Sequence, residues 1–116
     1  MKTISLTLEE IYNLSNKTLL SNGCDEETAD ILSDLIMSAE RDGSLSHGLF
    51  RLPAYVTGLK SGKINGKARP NIKKISSGII KIDGNNCLAP MVLNKGIPEL
   101  VKAAKESGVA VLAITN

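Results

Sequence analysis

The stretch IIKIDGNNCLAPMVLNKGIPELVKAAKESGVAVLAI, residues 79–114, decides the fold class. It opens on Ile79 to Ile82, where β-branched side chains favour a strand. The loop Asp83 to Cys87 follows, and its DGNN at 83–86 reads as a turn rather than a phosphate cradle. Pro90 suits the first turn of a helix. Leu93, Ile97, Leu100, Val101 and Ala104 then fall at helical spacing and are expected to form its buried face. Pro98 predicts a kink and Gly108 a stop. The run Val109 to Ile114 is short, apolar and bounded by a turn residue, which predicts a buried strand. Strand, helix and strand in that order make an αβ unit.

Working back from it, Ile72 to Ile75 is a second strand pattern, separated from Ile79 by Ser76-Ser77-Gly78, so the two runs read as a short hairpin. Residues 61–70 are rich in Gly, Lys and Asn without a period and read as a connector. Before it the pattern is helical. Thr7 and Glu10 have the spacing of a capping box, with Leu8, Ile11, Leu14 and Thr18/Leu19 behind them. Gly23 marks a stop, and Asp25 with Glu26 and Glu27 marks a new start, where acidic residues complement the helix dipole. Ala29, Leu32, Leu35, Ile36 and Ala39 are its expected core face, ending at Gly43. A third helix is expected from about Gly48 to Lys60, capped by Ser46 and made irregular or kinked by Pro53. The expected fold is α/β, or α+β for these residues taken alone. A helical region over residues 1–62 precedes a hairpin and an αβ unit over residues 63–116. A chain of 116 residues that stops on a strand following a helix reads as the front portion of something longer.

Composition narrows the function. The net charge is only +2 and Lys73-Lys74 is the one lysine pair, so no basic stripe points to nucleic acid or a membrane surface. Aromatic residues are 3% of the chain, with no Trp, which argues against base stacking. No run of apolar residues is long enough to span a bilayer, and no basic leader precedes a hydrophobic segment, so a cytoplasmic protein is expected. Cys24 and Cys87 are far apart and, with one histidine, supply too few soft ligands for a metal site. They read as reduced thiols in or near the core.

That histidine lies in SLSHGLFRLPAYV, residues 44–56. Taken singly, each residue here has a structural reading: His47 at a helix end, Ser46 as an N-cap, Arg51 as a surface cation, Tyr55 as a core-edge aromatic. Taken together on one helix, His47, Arg51 and Tyr55 would stand one above another. An imidazole exchanges protons near neutral pH, and a guanidinium fork matches a carboxylate. The set therefore points to a small carboxylate substrate held beside a proton donor.

The longer segment AERDGSLSHGLFRLPAYVTGLKSGKINGKARP, residues 39–70, resembles the malate/L-lactate dehydrogenase-like oxidoreductases. The similarity continues through GCDEETADILSDLIMSAERDG before it and IDGNNCLAP and GVAVLAITN after it. The resemblance implies a fold distinct from the Rossmann dehydrogenases, with residues 63–116 the start of a nucleotide-binding α/β domain. Many 2-hydroxyacid dehydrogenases of the family carry Asp where Leu45 stands. RDG-x-x-SHG followed by LAPMVLNKGIPELVKAA is closer to the Δ1-piperideine-2-carboxylate/Δ1-pyrroline-2-carboxylate reductase branch, although Cys87 replaces an expected Gly and Leu88 a frequent Phe. The implied reaction is NADPH-dependent reduction of a cyclic imino acid to L-pipecolate or L-proline. The alternative is an NADPH- or NADH-dependent dehydrogenase of malate, lactate or ureidoglycolate, and a second is a fragment inactive by itself. By the same resemblance Ser46 and His47 are catalytic, with His47 the proton donor, and Arg51 grips the substrate carboxylate. The third relay residue, an Asp, and the nucleotide-contacting segments are expected outside residues 1–116, in an enzyme that is a homodimer.

Overall fold

In the computed structural model, which describes residues 2–116, the chain divides into two compact units, Met1–Lys63 and Ile64–Asn116. The first is helical. Helix α1 spans Leu8–Ser21 and starts on the expected capping box: Thr7 Oγ1 accepts from the Glu10 amide at 3.1 Å, and the Thr7 amide donates to Glu10 Oε2 at 2.7 Å. Helix α2, Glu26–Arg41, is capped by Asp25, whose carboxylate accepts from the Thr28 amide at 3.0 Å. The two helices pack against each other. Ile11, Ser15 and Leu19 line the seam from α1, and Ala29, Leu32, Ser33 and Ile36 line it from α2. Leu19, Leu32 and Ile36 lose all solvent contact, and each contributes about 1.5–3 kcal/mol of burial. Asp30 Oδ1 ties the pair at its rim, accepting from the Tyr12 hydroxyl at 3.0 Å and from Asn16 Nδ2 at 2.8 Å.

Three expected core leucines lie outside this seam: Leu8, Leu14 and Leu35 are 39%, 48% and 41% exposed. A two-helix contact buries a narrow stripe, and the small residues Ser15 and Ser33 occupy it, which leaves the leucines on its flanks.

The third helix also differs from expectation. Two short 3₁₀ turns, Leu45–His47 and Leu49–Arg51, precede α3, which starts only at Leu52 and ends at Lys60. Gly48, at ψ −139°, breaks any continuous helix across this segment. Pro53, in the first turn of α3, has no amide to donate and so fits a helix start better than a helix interior. Ser46 makes no capping bond.

The second unit holds a three-stranded sheet in the order β1-β2-β3. Strands β1, Asn71–Ser76, and β2, Ile79–Asp83, form the expected antiparallel hairpin. Its register shifts between Lys74 and Ser76, a bulge that leaves Ile75 about half exposed. Helix α4, Ala89–Ser107, then crosses to β3, Val111–Thr115, which pairs parallel to β2 with Ile80 opposite Leu112 and Ile82 opposite Ile114. Ile80, Ile82, Val92 and Ala103 form the core, with Ile72, Cys87, Ala110 and Leu112 packed on it.

The face that α4 buries is offset from the expected one. Met91, Val92, Gly96 and Ala103 are buried, while Leu93, Ile97 and Val101 are 42%, 48% and 45% exposed. Gly96 sets this rotation. A Cβ there would strike the Ile82 side chain, so the helix lies closest to the sheet along its glycine side. The helix runs unbroken through Pro98 and ends at Gly108, whose amide donates to the Ala104 carbonyl at 2.8 Å. The expected buried strand is instead an exposed one: β3 is an edge, with Val111 55% and Ile114 47% exposed.

Candidate active site

The segment after α2 is wound tightly by its own backbone. The Ser44 amide donates to the Ala39 carbonyl at 2.8 Å, and the His47 amide donates to the Ser44 carbonyl at 2.9 Å. This turn sets Ser46 beside the imidazole, with Ser46 Oγ 3.0 Å from His47 Nδ1. Ser44 Oγ approaches the same nitrogen at 3.4 Å. Nδ1 therefore faces two hydroxyls. A serine hydroxyl donating to Nδ1 fixes the neutral tautomer that carries its hydrogen on Nε2. Ser46 and His47 are both exposed.

Arg51 closes the second 3₁₀ turn and is exposed. Among the described residues no carboxylate lies within ion-pair distance of its guanidinium, which leaves the fork open to an external anion. The single helical column expected from the sequence does not form. His47 and Arg51 sit in successive 3₁₀ turns with Gly48 between them, and no hydrogen bond joins them. Only Arg51 and Tyr55 keep the helical relation, because Arg51 is already in αR geometry at the start of α3.

One residue that positions this segment escaped the sequence reading. Glu40, near the end of α2, accepts from the Leu49 amide through Oε1 at 2.8 Å. Its carboxylate lies against Gly48, where a Cβ would collide with it. The acid thus fastens the backbone just after His47 to α2, and Gly48 is the residue that lets it approach. Ser44 was also missed, although its S-x-x-H spacing is what brings i and i+3 together in a 3₁₀ turn.

The second unit offers a different surface. Around the turn 83–87 the amides are used internally: Gly84 donates to the Thr115 carbonyl at 2.7 Å, Asn85 to Asp83 Oδ1 at 2.9 Å, and Cys87 to the Gly84 carbonyl at 2.8 Å. Asn85 and Asn86 take φ of 51° and 58°, as a tight polar turn requires. The Asn85 amide, together with the Asn116 side chain, holds the Asp83 carboxyl below its usual range. Among the described residues, no helix is long and apolar enough to cross a membrane.

The family model described as malate/L-lactate dehydrogenase matches residues 6–116. A Δ1-pyrroline-2-carboxylate reductase of Ancylobacter novellus is 38% identical over 96% of the chain and 33% of its own length. The solved structure of Δ1-piperideine-2-carboxylate reductase from Pseudomonas syringae pv. tomato superposes with a TM-score of 0.89 at 35% identity, over 97% of this chain and 34% of that one. Sulfolactate dehydrogenase from Methanocaldococcus jannaschii gives a TM-score of 0.84 at 38% identity, over 96% and 32%. The chain spans about a third of the length of the relatives it matches. With the match running over nearly every residue, this chain belongs to the malate/L-lactate dehydrogenase family.

Proposed function

We propose that these residues form the substrate side of an oxidoreductase that reduces a cyclic imino acid, Δ1-piperideine-2-carboxylate or Δ1-pyrroline-2-carboxylate, to L-pipecolate or L-proline. The observation that carries the reading is the 3.0 Å pairing of Ser46 Oγ with His47 Nδ1; with the hydroxyl as donor, Nε2 is the proton-bearing nitrogen. Arg51 binds the substrate carboxylate as a bidentate partner. His47 gives its Nε2 proton to the ring nitrogen as the C=N bond is reduced, and the Ser46 hydroxyl keeps the imidazole in the donating tautomer. Relatives named for both imino acids support the substrate class.

The hydride belongs to a nicotinamide cofactor, NADPH in this reading and NADH in the alternative. In the 83–87 turn the Gly84, Asn85 and Cys87 amides are bonded within the turn and to Thr115, and in this reading the groups that hold the cofactor lie outside residues 2–116. No step is therefore assigned to this chain on the cofactor side. A second reading, dehydrogenation of a small 2-hydroxy acid such as malate, lactate or ureidoglycolate, draws support from the 37% identity to malate/(S)-sulfolactate dehydrogenase of Methanothermus fervidus. It would use the same His47 and Arg51. The complete enzyme is proposed to be a cytoplasmic homodimer.

The test grafts residues 1–116 onto the rest of the Ancylobacter reductase and, separately, onto the rest of the Methanothermus dehydrogenase. NADPH oxidation is followed with the two imino acids and with the 2-oxo acids of malate and lactate. Imine reduction by the first graft, and its appearance in the second, is expected. Turnover of 2-oxo acids alone by both grafts would overturn the imino acid reading in favour of the second. The 116-residue chain by itself is expected to be inactive with every substrate.

A further inference from the structure

Ser44 stands directly before the 3₁₀ turn Leu45–His47, where a serine side chain ordinarily caps the turn that follows. It makes no capping bond. The turn is closed by backbone instead, with the His47 amide donating to the Ser44 carbonyl at 2.9 Å. The freed hydroxyl lies 3.4 Å from His47 Nδ1, and Ser46 Oγ lies 3.0 Å from the same nitrogen. Backbone contacts hold this arrangement on both sides of the histidine. Before it, the Ser44 amide donates to the Ala39 carbonyl at 2.8 Å; after it, the Leu49 amide donates to Glu40 Oε1 at 2.8 Å. A neutral imidazole offers a single acceptor lone pair, so two hydroxyls cannot donate to it at once. One of the two serines is therefore in reserve.

We propose that Ser44 is a second positioning residue for His47, its hydroxyl alternating with that of Ser46 as the donor to Nδ1. The inference rests on the proton-donor role proposed above for His47. The shorter contact makes Ser46 the principal donor. Both serines are exposed, so the Ser46 hydroxyl can turn to water, and Ser44 then takes its place on the ring. Either hydroxyl selects the same tautomer, with hydrogen on Nε2, so the ring stays ready to donate whichever serine is engaged. The effect is modest while water competes for Nδ1 and grows when bound substrate excludes it.

The test reads the ring first and turnover second. The chain has one histidine, so the NMR shifts of its ring nitrogens report the tautomer of His47 without ambiguity. At about pH 8, above the ordinary imidazole range, the parent should carry its hydrogen on Nε2. In Ser44→Ala with Ser46→Ala the Nδ1–H fraction should rise by about 2–10-fold, the worth of one hydrogen bond, and by clearly less in either single variant. Ser44→Thr, which keeps a hydroxyl, should restore the parent signature when Ser46 is present and the Ser46→Ala signature when it is not. Exchange of the Leu49 amide should be unchanged throughout, which separates this role from a structural one. In the Ancylobacter graft, the double variant should lose kcat by about 100-fold or more, beyond the product of the two single losses, with KM for the imine little changed. The inference is overturned if the double variant has the tautomer of Ser46→Ala alone, or if its kcat loss is that of Ser46→Ala alone. A graft that reduces no imine in its parent form overturns the proposed reaction instead, and the tautomer of the double variant then decides the role of Ser44 by itself.

Discussion

At the scale of single residues, His47 is the side chain on which the proposed chemistry turns. In the grafted enzyme, His47→Ala is expected to lower kcat by about 10²–10⁴-fold, the usual worth of a positioned proton donor. Arg51→Lys keeps the charge but loses the fork, so its main effect should be a raised KM for the imino acid. A His47→Ala enzyme with near-full turnover would remove the proton-donor role. Stability is testable at Ser33, whose Oγ is buried in the helix seam without a hydrogen-bond partner. Ser33→Ala should therefore stabilise the chain by about 1 kcal/mol, seen as a higher denaturant midpoint. Burial, helped by the Asp25 carboxylate, pushes the Cys24 thiol up from 9.0 to about 11. Between those values the folded chain keeps a proton that the unfolded chain releases. Stability contributed by Cys24 is thus full below pH 9 and declines as pH rises toward 11. Urea unfolding across that range should show the decline, and Cys24→Ala should flatten it.

At the scale of elements, the helix starts and the hairpin were legible because each rests on local chemistry. The Thr7–Glu10 box, the Asp25 cap and the Ser77-Gly78 link appear where their residues predict them. The Ser44–Arg51 segment stood out in the sequence by its residues but not by its path. A helix from Gly48 was a reasonable expectation, yet the carboxylate of Glu40 takes the Leu49 amide and the chain turns at Gly48 instead. Nothing local in the sequence marks that bond, which spans nine residues. Two substitutions check its role. Glu40→Ala should cost about 1–3 kcal/mol at this contact and speed exchange of the Leu49 amide. Gly48→Ala, by displacing the Glu40 carboxylate, should act in the same direction. If Leu49 exchanges as before in both variants, Glu40 does not hold the segment.

At the scale of the whole molecule, apolar surface is out of balance with the size of the chain. Phe50 and Val109 are 76% and 78% exposed, and Leu45 is 62% exposed beside Ser46. Surface of this kind marks interaction sites or association. The 116-residue chain is expected to bind a hydrophobic dye more strongly than a full-length relative does, and the signal should fall when the remaining two thirds is joined to it. Equal dye binding by both would show that this surface is covered in the chain alone. The sequence by itself determined the family and the order of helices and strands and singled out Ser46, His47 and Arg51 as candidates, since caps, periodicity and a short motif are all local signals. Only the tertiary structure decided which face of α4 meets the sheet, which leucines leave the α1–α2 seam, and which acid fixes the histidine turn. Those outcomes depend on close approach between residues distant in sequence, at Gly96 on Ile82, at Ser15 and Ser33, and at Gly48 on Glu40, where the room for one Cβ settles the packing.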